Sequence, residues 1–123
     1  NGGDIFIARK QACTVAVFAG ESPLSNKVGI RLEAERQPCG VCCSSGTIGH
    51  SLSFGHADAV VVVATGTALA DAAATRIGNE VGRGPDSLDA PLQVARSIVG
   101  LAGVLIVRGE QLGAWGSIEL VRI

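Results

Sequence analysis

A run of β-branched residues followed at once by an alanine-rich helical pattern constrains the fold of this chain most strongly. Residues 57–64 read Ala-Asp-Ala-Val-Val-Val-Val-Ala, which is typical of a strand buried on both faces. Residues 65–67 (Thr-Gly-Thr) then supply hydroxyl groups for a helix N-cap, and residues 68–77 are strongly helical in composition. We expect Gly78 or Gly82 to end that helix. A buried strand with a helix directly after it is therefore predicted at the centre of the fold.

The order of the other predicted elements indicates the α+β class. Short β-rich segments precede the helix and two more close the chain, at residues 4–8, 14–18, 27–32, 41–45, 103–108 and 115–121. The polar residues 9–11 are expected to form a hairpin connection between the first two strands. Because the two predicted helices follow each other instead of alternating with strands, we expect an antiparallel sheet with both helices on one face.

The second helix is predicted from its start signals and its apolar spacing. Asp86-Ser87 or Asp89 would begin it, with Pro91 in the first turn. Glycines at 100 and 103 are expected to end it. The side chains that share its apolar face are predicted to be Leu92, Ala95 and Val99.

Large aromatic side chains cannot fill the core of this chain. Its 123 residues include three Phe, one Trp, no Tyr and 17 Gly, so Ala, Val, Ile and Leu must pack the interior. The net charge of −1 leaves no broad positive field for phosphates, which argues against a general nucleic-acid binder. The longest uncharged apolar run, residues 98–107, is shorter than the roughly 20 residues of a membrane span. We therefore expect a soluble domain whose partner is neither nucleic acid nor membrane.

The start of the chain predicts that part of the protein lies upstream. The sequence contains no Met and begins at Asn1, and no secretory signal is visible. We expect residues 1–123 to be the C-terminal portion of one domain in a cytoplasmic protein. Hydrophobic strands with little charge need their edges covered, so a homo-oligomer or association with the missing N-terminal portion is expected.

Four cysteines offer a metal or redox alternative. Cys39-x-x-Cys42 has the spacing of redox and zinc sites, and the adjacent Cys43 could add a third thiolate. A closed zinc site would need a fourth ligand, for which His50 is the nearest candidate. The favoured interpretation is that these thiols and Cys13 are reduced and buried or idle.

A carboxylate and a hydroxyl lie one helical turn apart in the first helix. Asp71 and Thr75 are four residues apart, so they lie on one face of the helix. Such a pair can bind one hard cation together with water or phosphate oxygens. The structural alternative is that Asp71 lies in the first turn and favours the helix dipole.

The densest polar segment, residues 40–55, combines glycines with hydroxyl side chains. Exposed N–H groups in such a turn can hold phosphate, and a Ser beside His50 or His56 suggests a nucleophile and base. The alternative is a serine-rich turn between strands. Asp58 either orients His56 or caps a turn, and we favour the structural role.

These segments together resemble the C-terminal half of ApbE-like proteins. The residues that carry the resemblance are Asn1-Gly2-Gly3-Asp4, Val28-Gly29-Ile30, Ser44-Ser45-Gly46 and residues 69–75. ApbE-like proteins are magnesium-dependent flavin transferases that move FMN from FAD onto a protein Thr or Ser. Residues 40–55 are also similar to a segment of an ApbE-related family, Gly-Val-Cys-x-Ser-Ser-Gly-Thr-x-Gly-His-Ser-Leu-Ser-Phe-Gly.

The resemblance implies a T-fold-like α+β domain and a set of site residues. It implies that Asp71 and Thr75 help to bind Mg²⁺, and that Ser45 and His50 serve catalysis. The residues implied to contact FAD or FMN are Gly2, Gly3, Asp4, Ser45, Gly46 and Thr47.

One departure from the ApbE pattern keeps three functions open. ApbE-type transferases carry a His-x-x-Asp-Pro-x-x-Gly stretch, whereas His50 is followed here by Ser-Leu-Ser-Phe-Gly. The first function is a Mg²⁺-dependent transferase acting at a flavin pyrophosphate. The second is a binding module that retains a flavin or another small ligand without catalysis. The third is a different enzyme that uses the loop from Gly46 to Gly55.

Overall fold

The computed structural model describes residues 3–46 and 55–123. Eight strands, a short 3₁₀ turn and two helices are present in these ranges. In chain order they are β1 (Asp4–Ile7), β2 (Cys13–Ala16), β3 (Val28–Leu32), the 3₁₀ turn (Ala34–Arg36), β4 (Cys39–Ser44), β5 (Ala59–Ala64), α1 (Thr67–Gly78), α2 (Asp89–Ser97), β6 (Leu101–Arg108), β7 (Gln111–Gly116) and β8 (Glu119–Arg122).

Two antiparallel sheets organise the described residues. The larger has five strands in the order β1-β4-β5-β6-β7, and the smaller has three in the order β2-β3-β8. Helix α1 packs on β4 and β5 and also contacts β1, whereas α2 packs on β6 and β7. Both helices therefore cover one face of the large sheet, which confirms the predicted α+β class. No helix in the described ranges is long and apolar enough to cross a membrane.

The valine run of β5 is explained by the two layers that cover it. Val60 and Val62 belong to an apolar cluster with the buried side chains of α1, whereas Val61 and Val63 belong to a second cluster with Ile30 of the small sheet. Every residue of β5 is buried. Because successive side chains point to opposite faces of a sheet, a strand between two apolar layers needs an apolar residue at every position.

Small residues allow α1 to approach the large sheet closely. The side chains of Ala70, Ala73 and Ala74 are buried against the sheet. A Cβ atom built at Gly40 of β4 would lie only 2.6 Å from the backbone nitrogen of Thr67 and would also overlap the backbone of Gly66. The first turn of α1 thus rests on β4 at a position where only glycine fits.

The expected hairpin between the first two strands is wrong. β1 pairs with β4, from Asp4 opposite Cys42 to Ile7 opposite Cys39. β2 pairs instead with β3 in the small sheet. Residues 9–11 therefore carry the chain from one sheet to the other, because each strand finds its apolar partners farther along the sequence.

The last predicted strand is in fact two strands. β7 forms a hairpin with β6, with Arg108 opposite Gln111. β8 then leaves the large sheet and pairs with β3. Gly116 has a φ of 93° at the end of β7, a conformation that favours glycine, and the chain changes sheets after it.

Helix boundaries are close to those predicted, but two details differ. The N-cap of α1 is Gly66, and no side chain caps that helix, so the expected hydroxyl cap is wrong. Helix α2 buries Pro91 and Ala95. Val99 lies beyond its end and is 92% exposed, contrary to the predicted apolar face.

We expect Gly40→Ala to lower the free energy of unfolding by about 1–3 kcal/mol, because an added methyl group would push α1 away from β4. Gly82→Ala is the matched control, since a Cβ there meets no atom within 4 Å. Urea unfolding of both variants measures the difference. Equal unfolding midpoints would contradict the close packing at Gly40.

Candidate functional site

One end of the large sheet collects several of the predicted site residues. β1 and β4 are antiparallel, so β1 begins where β4 ends. Asp4 lies opposite Cys42, and the backbone N–H of Cys43 donates to the carbonyl oxygen of Gly3 at 2.7 Å. The turn at residues 44–46 follows directly. The structure therefore brings Gly3 and Asp4 to the same sheet end as Ser45 and Gly46, and this end is called the site end below.

The C-terminus of α1 also lies at the site end of the large sheet. The N–H of Gly46 donates to the carbonyl oxygen of Ala57 at 2.9 Å. A Cβ at Gly46 would overlap the carbonyl oxygen of Gly55, and a Cβ at Gly55 would overlap that of Gly78. Residues 46 and 55 are therefore held together against the last turn of α1, because glycine allows backbone to touch backbone.

Asp71 and Thr75 lie on the solvent side of α1. Both are exposed, whereas the neighbouring Ala70 and Ala74 are buried. No acidic residue occupies the first turn, which begins at Thr67, so the expected first-turn role of Asp71 is wrong. The pair presents a carboxylate and a hydroxyl to solvent one turn apart. These oxygen donors fit a hard cation such as Mg²⁺.

The buried thiol of Cys42 connects the predicted metal helix with β1. Its Sγ donates to the carbonyl oxygen of Thr67 at 3.4 Å. Burial, then the neighbouring carboxylate of Asp4 and, to a smaller extent, the negative charge of Asp71 raise the pKa of Cys42 to about 12. The carboxylates of Asp4 on β1 and Asp71 on α1 therefore both favour the protonated form of this thiol. A thiol with this pKa stays protonated at neutral pH and is no nucleophile.

The cysteines cannot together bind one zinc ion. Cys42 packs on the helix side of the large sheet, whereas Cys39 and Cys43 pack on the side of the small sheet. Burial raises the pKa of both Cys39 and Cys43. All four cysteines are free thiols, and the described residues contain no group of three or more metal-ligating side chains. The zinc hypothesis is therefore wrong for these three thiols. Cys39 and Cys42 are buried, whereas Cys13 and Cys43 are half-buried.

Three of the predicted site residues lie outside the described ranges. They are Gly2, Thr47 and His50. Their roles stay predictions.

The structure adds a polar cluster that the sequence reasoning did not find. The Nε of Arg83 donates to Nε2 of His56 at 3.2 Å. The Nη2 of Arg108 donates to the carbonyl oxygen of Arg83 at 2.7 Å. The three residues come from the loop after α1, the segment before β5 and the end of β6, so no short motif could have connected them.

Asp58 makes a structural contact with the turn between β6 and β7. Its Oδ2 accepts the backbone N–H of Gly109 at 2.7 Å. The carbonyl oxygen of Gly109 accepts the hydroxyl of Ser22 at 2.6 Å. The turn between β6 and β7 is thereby connected to the segment before β5 and to the loop that joins β2 to β3.

Comparison with known proteins places the chain in a family. A family profile described as AbpE bacteria matches residues 1–97. The chain belongs to this family. The match includes β1, β4 and α1, and so it covers both Asp4 and the predicted metal pair.

Relatives from methanogenic archaea match almost the whole chain. A UPF0280 protein of Methanosarcina acetivorans is 42% identical over 121 residues, which cover 98% of this chain and 47% of that relative. A UPF0280 protein of Methanococcus aeolicus is 45% identical over 121 residues, which cover 96% of this chain and 49% of that relative. The chain thus spans about half the length of the curated relatives it matches.

We expect the free energy of unfolding to fall as pH rises above about 9. The thiols of an unfolded chain ionise near their ordinary pKa, whereas Cys42 keeps its proton in the folded state up to about pH 12. The folded state then binds more protons than the unfolded state, so stability decreases with pH in this window.

The Cys42→Ala variant should lose stability less steeply over the same range, because the thiol that ionises on unfolding is gone. Urea unfolding at several pH values between about 8 and 11 measures both slopes. Identical slopes for the two proteins would contradict the raised pKa of Cys42.

Proposed function

We propose that this chain forms part of a Mg²⁺-dependent protein that handles a flavin nucleotide at its pyrophosphate. The observation that carries the proposal is the exposed pair of Asp71 and Thr75 on α1, beside the sheet end that contains Gly3, Asp4 and Ser45. Membership of the AbpE bacteria family supports it. The resemblance to ApbE-like transferases supplies the chemistry, FMN transfer from FAD.

The residues of this chain suit the proposed cation. Asp71 contributes a charged oxygen and Thr75 a neutral one, and ligand oxygens or water would complete the coordination that Mg²⁺ prefers. Bound Mg²⁺ would neutralise charge on phosphate oxygens. The thiol of Cys42 holds the first turn of α1 against β4, since it donates a hydrogen bond to the carbonyl oxygen of Thr67 in the turn before Asp71.

The glycine-rich side of the site suits a ligand that approaches the backbone. Gly3 has a φ of 101°, a conformation that favours glycine, and a Cβ there would lie 3.2 Å from the carbonyl oxygen of Cys43. We propose that Gly2, Gly3, Asp4 and the turn at residues 45–47 bind the flavin nucleotide. In the same proposal Ser45 and His50 orient the reacting phosphate and move protons.

A second candidate function is a flavin-binding module without transfer activity. The observation that favours it is the sequence after His50, which lacks the Asp-Pro of ApbE-type transferases. The metal helix and the glycine turns would then retain a ligand without cleaving it. A different enzyme acting through the loop from Gly46 to Gly55 is the third candidate.

We expect Asp71→Asn to weaken Mn²⁺ binding at least tenfold, because the substitution removes the charged oxygen of the proposed site. Electron paramagnetic resonance of added Mn²⁺, with Mg²⁺ as competitor, measures the affinity directly. Asp89→Asn is the matched control, since Asp89 is an exposed aspartate in the first turn of α2.

Unchanged affinity in Asp71→Asn, or no Mn²⁺ binding by the wild-type chain, would contradict the metal role. Thr75→Val provides a second variant, for which we expect a smaller loss because a neutral ligand is removed.

FAD titration separates the enzyme from the binding module. A transferase is expected to release AMP from FAD when Mg²⁺ and an acceptor peptide are present. A binding module would quench flavin fluorescence without releasing AMP. If the chain neither quenches the fluorescence nor releases AMP while a competent flavin transferase does so in parallel, both flavin functions fail.

A further inference from the structure

We propose that a cavity between the two sheets, at the end opposite the site end, binds a short aliphatic carboxylate. The cavity has a volume of about 80 Å³, and Arg36 is the charged residue of its lining. The hydrocarbon chain of the ligand would lie between the sheets and its carboxylate would meet Arg36. This site goes beyond the proposed function, because it shares no residue with the site end and requires neither a metal ion nor a flavin.

The strand registers place the cavity away from the site end. β4 runs from Cys39 to Ser44, and the turn at the site end follows Ser44. Near the start of β4, Gly40 lies opposite Ala64, the last residue of β5, and Ala64 lies opposite Leu101, the first residue of β6. The cavity is lined from these strand ends and from the end of β3 in the small sheet. A ligand there therefore binds one full strand length from the site end.

The floor of the cavity is apolar. Leu32, Cys39 and Val63 line it and belong to the apolar cluster between the sheets, and each is at most 3% exposed. Ala102 also lines the cavity and packs against the same cluster. Burial raises the pKa of Cys39, so its thiol stays protonated at neutral pH. The floor thus carries no charge, and burial of a hydrocarbon chain against it is favourable.

Polar side chains line the mouth of the cavity. Arg36, Thr65 and Ser117 line the cavity and are exposed, whereas the floor residues are buried. A guanidinium group matches the two oxygens of a carboxylate, and the hydroxyl groups can donate further hydrogen bonds to them. A ligand with an anionic head and an apolar chain therefore matches both parts of the lining.

Arg36 forms no ion pair within the described part of the chain. The ion pairs found there join Arg31 with Glu33 and Arg76 with Glu80. The backbone N–H of Arg36 donates to the carbonyl oxygen of Glu33 at 3.0 Å, in the 3₁₀ turn that Arg36 ends. This turn fixes the backbone that carries the guanidinium group. The charge of Arg36 is thus available to an anionic ligand.

The volume of the cavity limits the length of the ligand. An apolar cavity of about 150 Å³ holds a benzene ring. A cavity of about 80 Å³ therefore has room for a chain of about three or four carbon atoms. Acetate would leave most of the floor uncovered, whereas the chain of a long fatty acid would extend into solvent. Butyrate and pentanoate match the cavity best.

A series of carboxylates of increasing length tests the cavity in the wild-type chain. The probes are the sodium salts of acetate, propionate, butyrate, pentanoate and octanoate, titrated at constant ionic strength and followed by NMR. We expect the affinity to rise about fourfold with each methylene group from acetate to butyrate, and to change little beyond pentanoate. The methyl resonances of Leu32 and Val63 should shift, while that of Ala74, buried on the other face of the large sheet, stays in place.

Arg36→Gln tests the recognition of the carboxylate. We expect this variant to weaken butyrate binding about fivefold, because an exposed ion pair is lost. Arg96→Gln is the matched control, since Arg96 is exposed in the last turn of α2. Butyramide, which has the same shape without the charge, should bind the wild-type chain more weakly than butyrate and should not distinguish it from Arg36→Gln. Circular dichroism verifies that both variants are folded.

The proposal is overturned if butyrate does not bind, if acetate binds as tightly as butyrate, or if Arg36→Gln binds butyrate like the wild-type chain. Equal binding of butyramide and butyrate by the wild-type chain would overturn it as well. None of these titrations contains a divalent metal or a flavin. Their outcome is therefore independent of the Mn²⁺ and FAD experiments that test the proposed function.

Discussion

The backbone contact between β4 and the first turn of α1 is the constraint on which the candidate site depends. Gly40 lets the helix rest on the strand, and the small side chains of Ala70 and Ala74 keep it close along its length. This proximity lets the thiol of Cys42 reach the carbonyl of Thr67. It also carries Asp71 near the strand pair that contains Asp4. A larger residue at position 40 would separate the two halves of the site.

Local patterns predicted the elements of the fold better than their pairing. The valine run identified β5, because a strand buried on both faces needs an apolar residue at every position. The alanine-rich segment identified α1, because a helix packed close to a sheet needs small buried side chains. The hairpin at residues 9–11 was wrong because the partners of β1 and β2 lie farther along the sequence. The small sheet as a separate layer, and the passage of β8 into it, also depend on such distant pairings.

The candidate site was predictable only where its residues share one element. Asp71 and Thr75 were proposed as a pair because helical spacing puts them on one face, and the structure shows both residues exposed. Arg83 and Arg108 are 25 residues apart. They become neighbours because the loop after α1 bonds to His56 before β5, and β6 ends beside the start of β5. The spacing of Cys39 and Cys42 suggested convergence, yet strand geometry places their side chains on opposite faces.

The pairing of β3 with β8 has a consequence for the order of folding. Residues 28–31 meet residues 119–122, so the small sheet closes a loop that contains both helices and most of the large sheet. A two-stranded hairpin of β2 and β3 is marginal in water by itself, and such distant contacts form slowly. During synthesis on the ribosome, the edge of β3 that pairs with β8 therefore stays unpaired until β8 has emerged. An unpaired strand edge can pair with another chain and so favours aggregation during this interval.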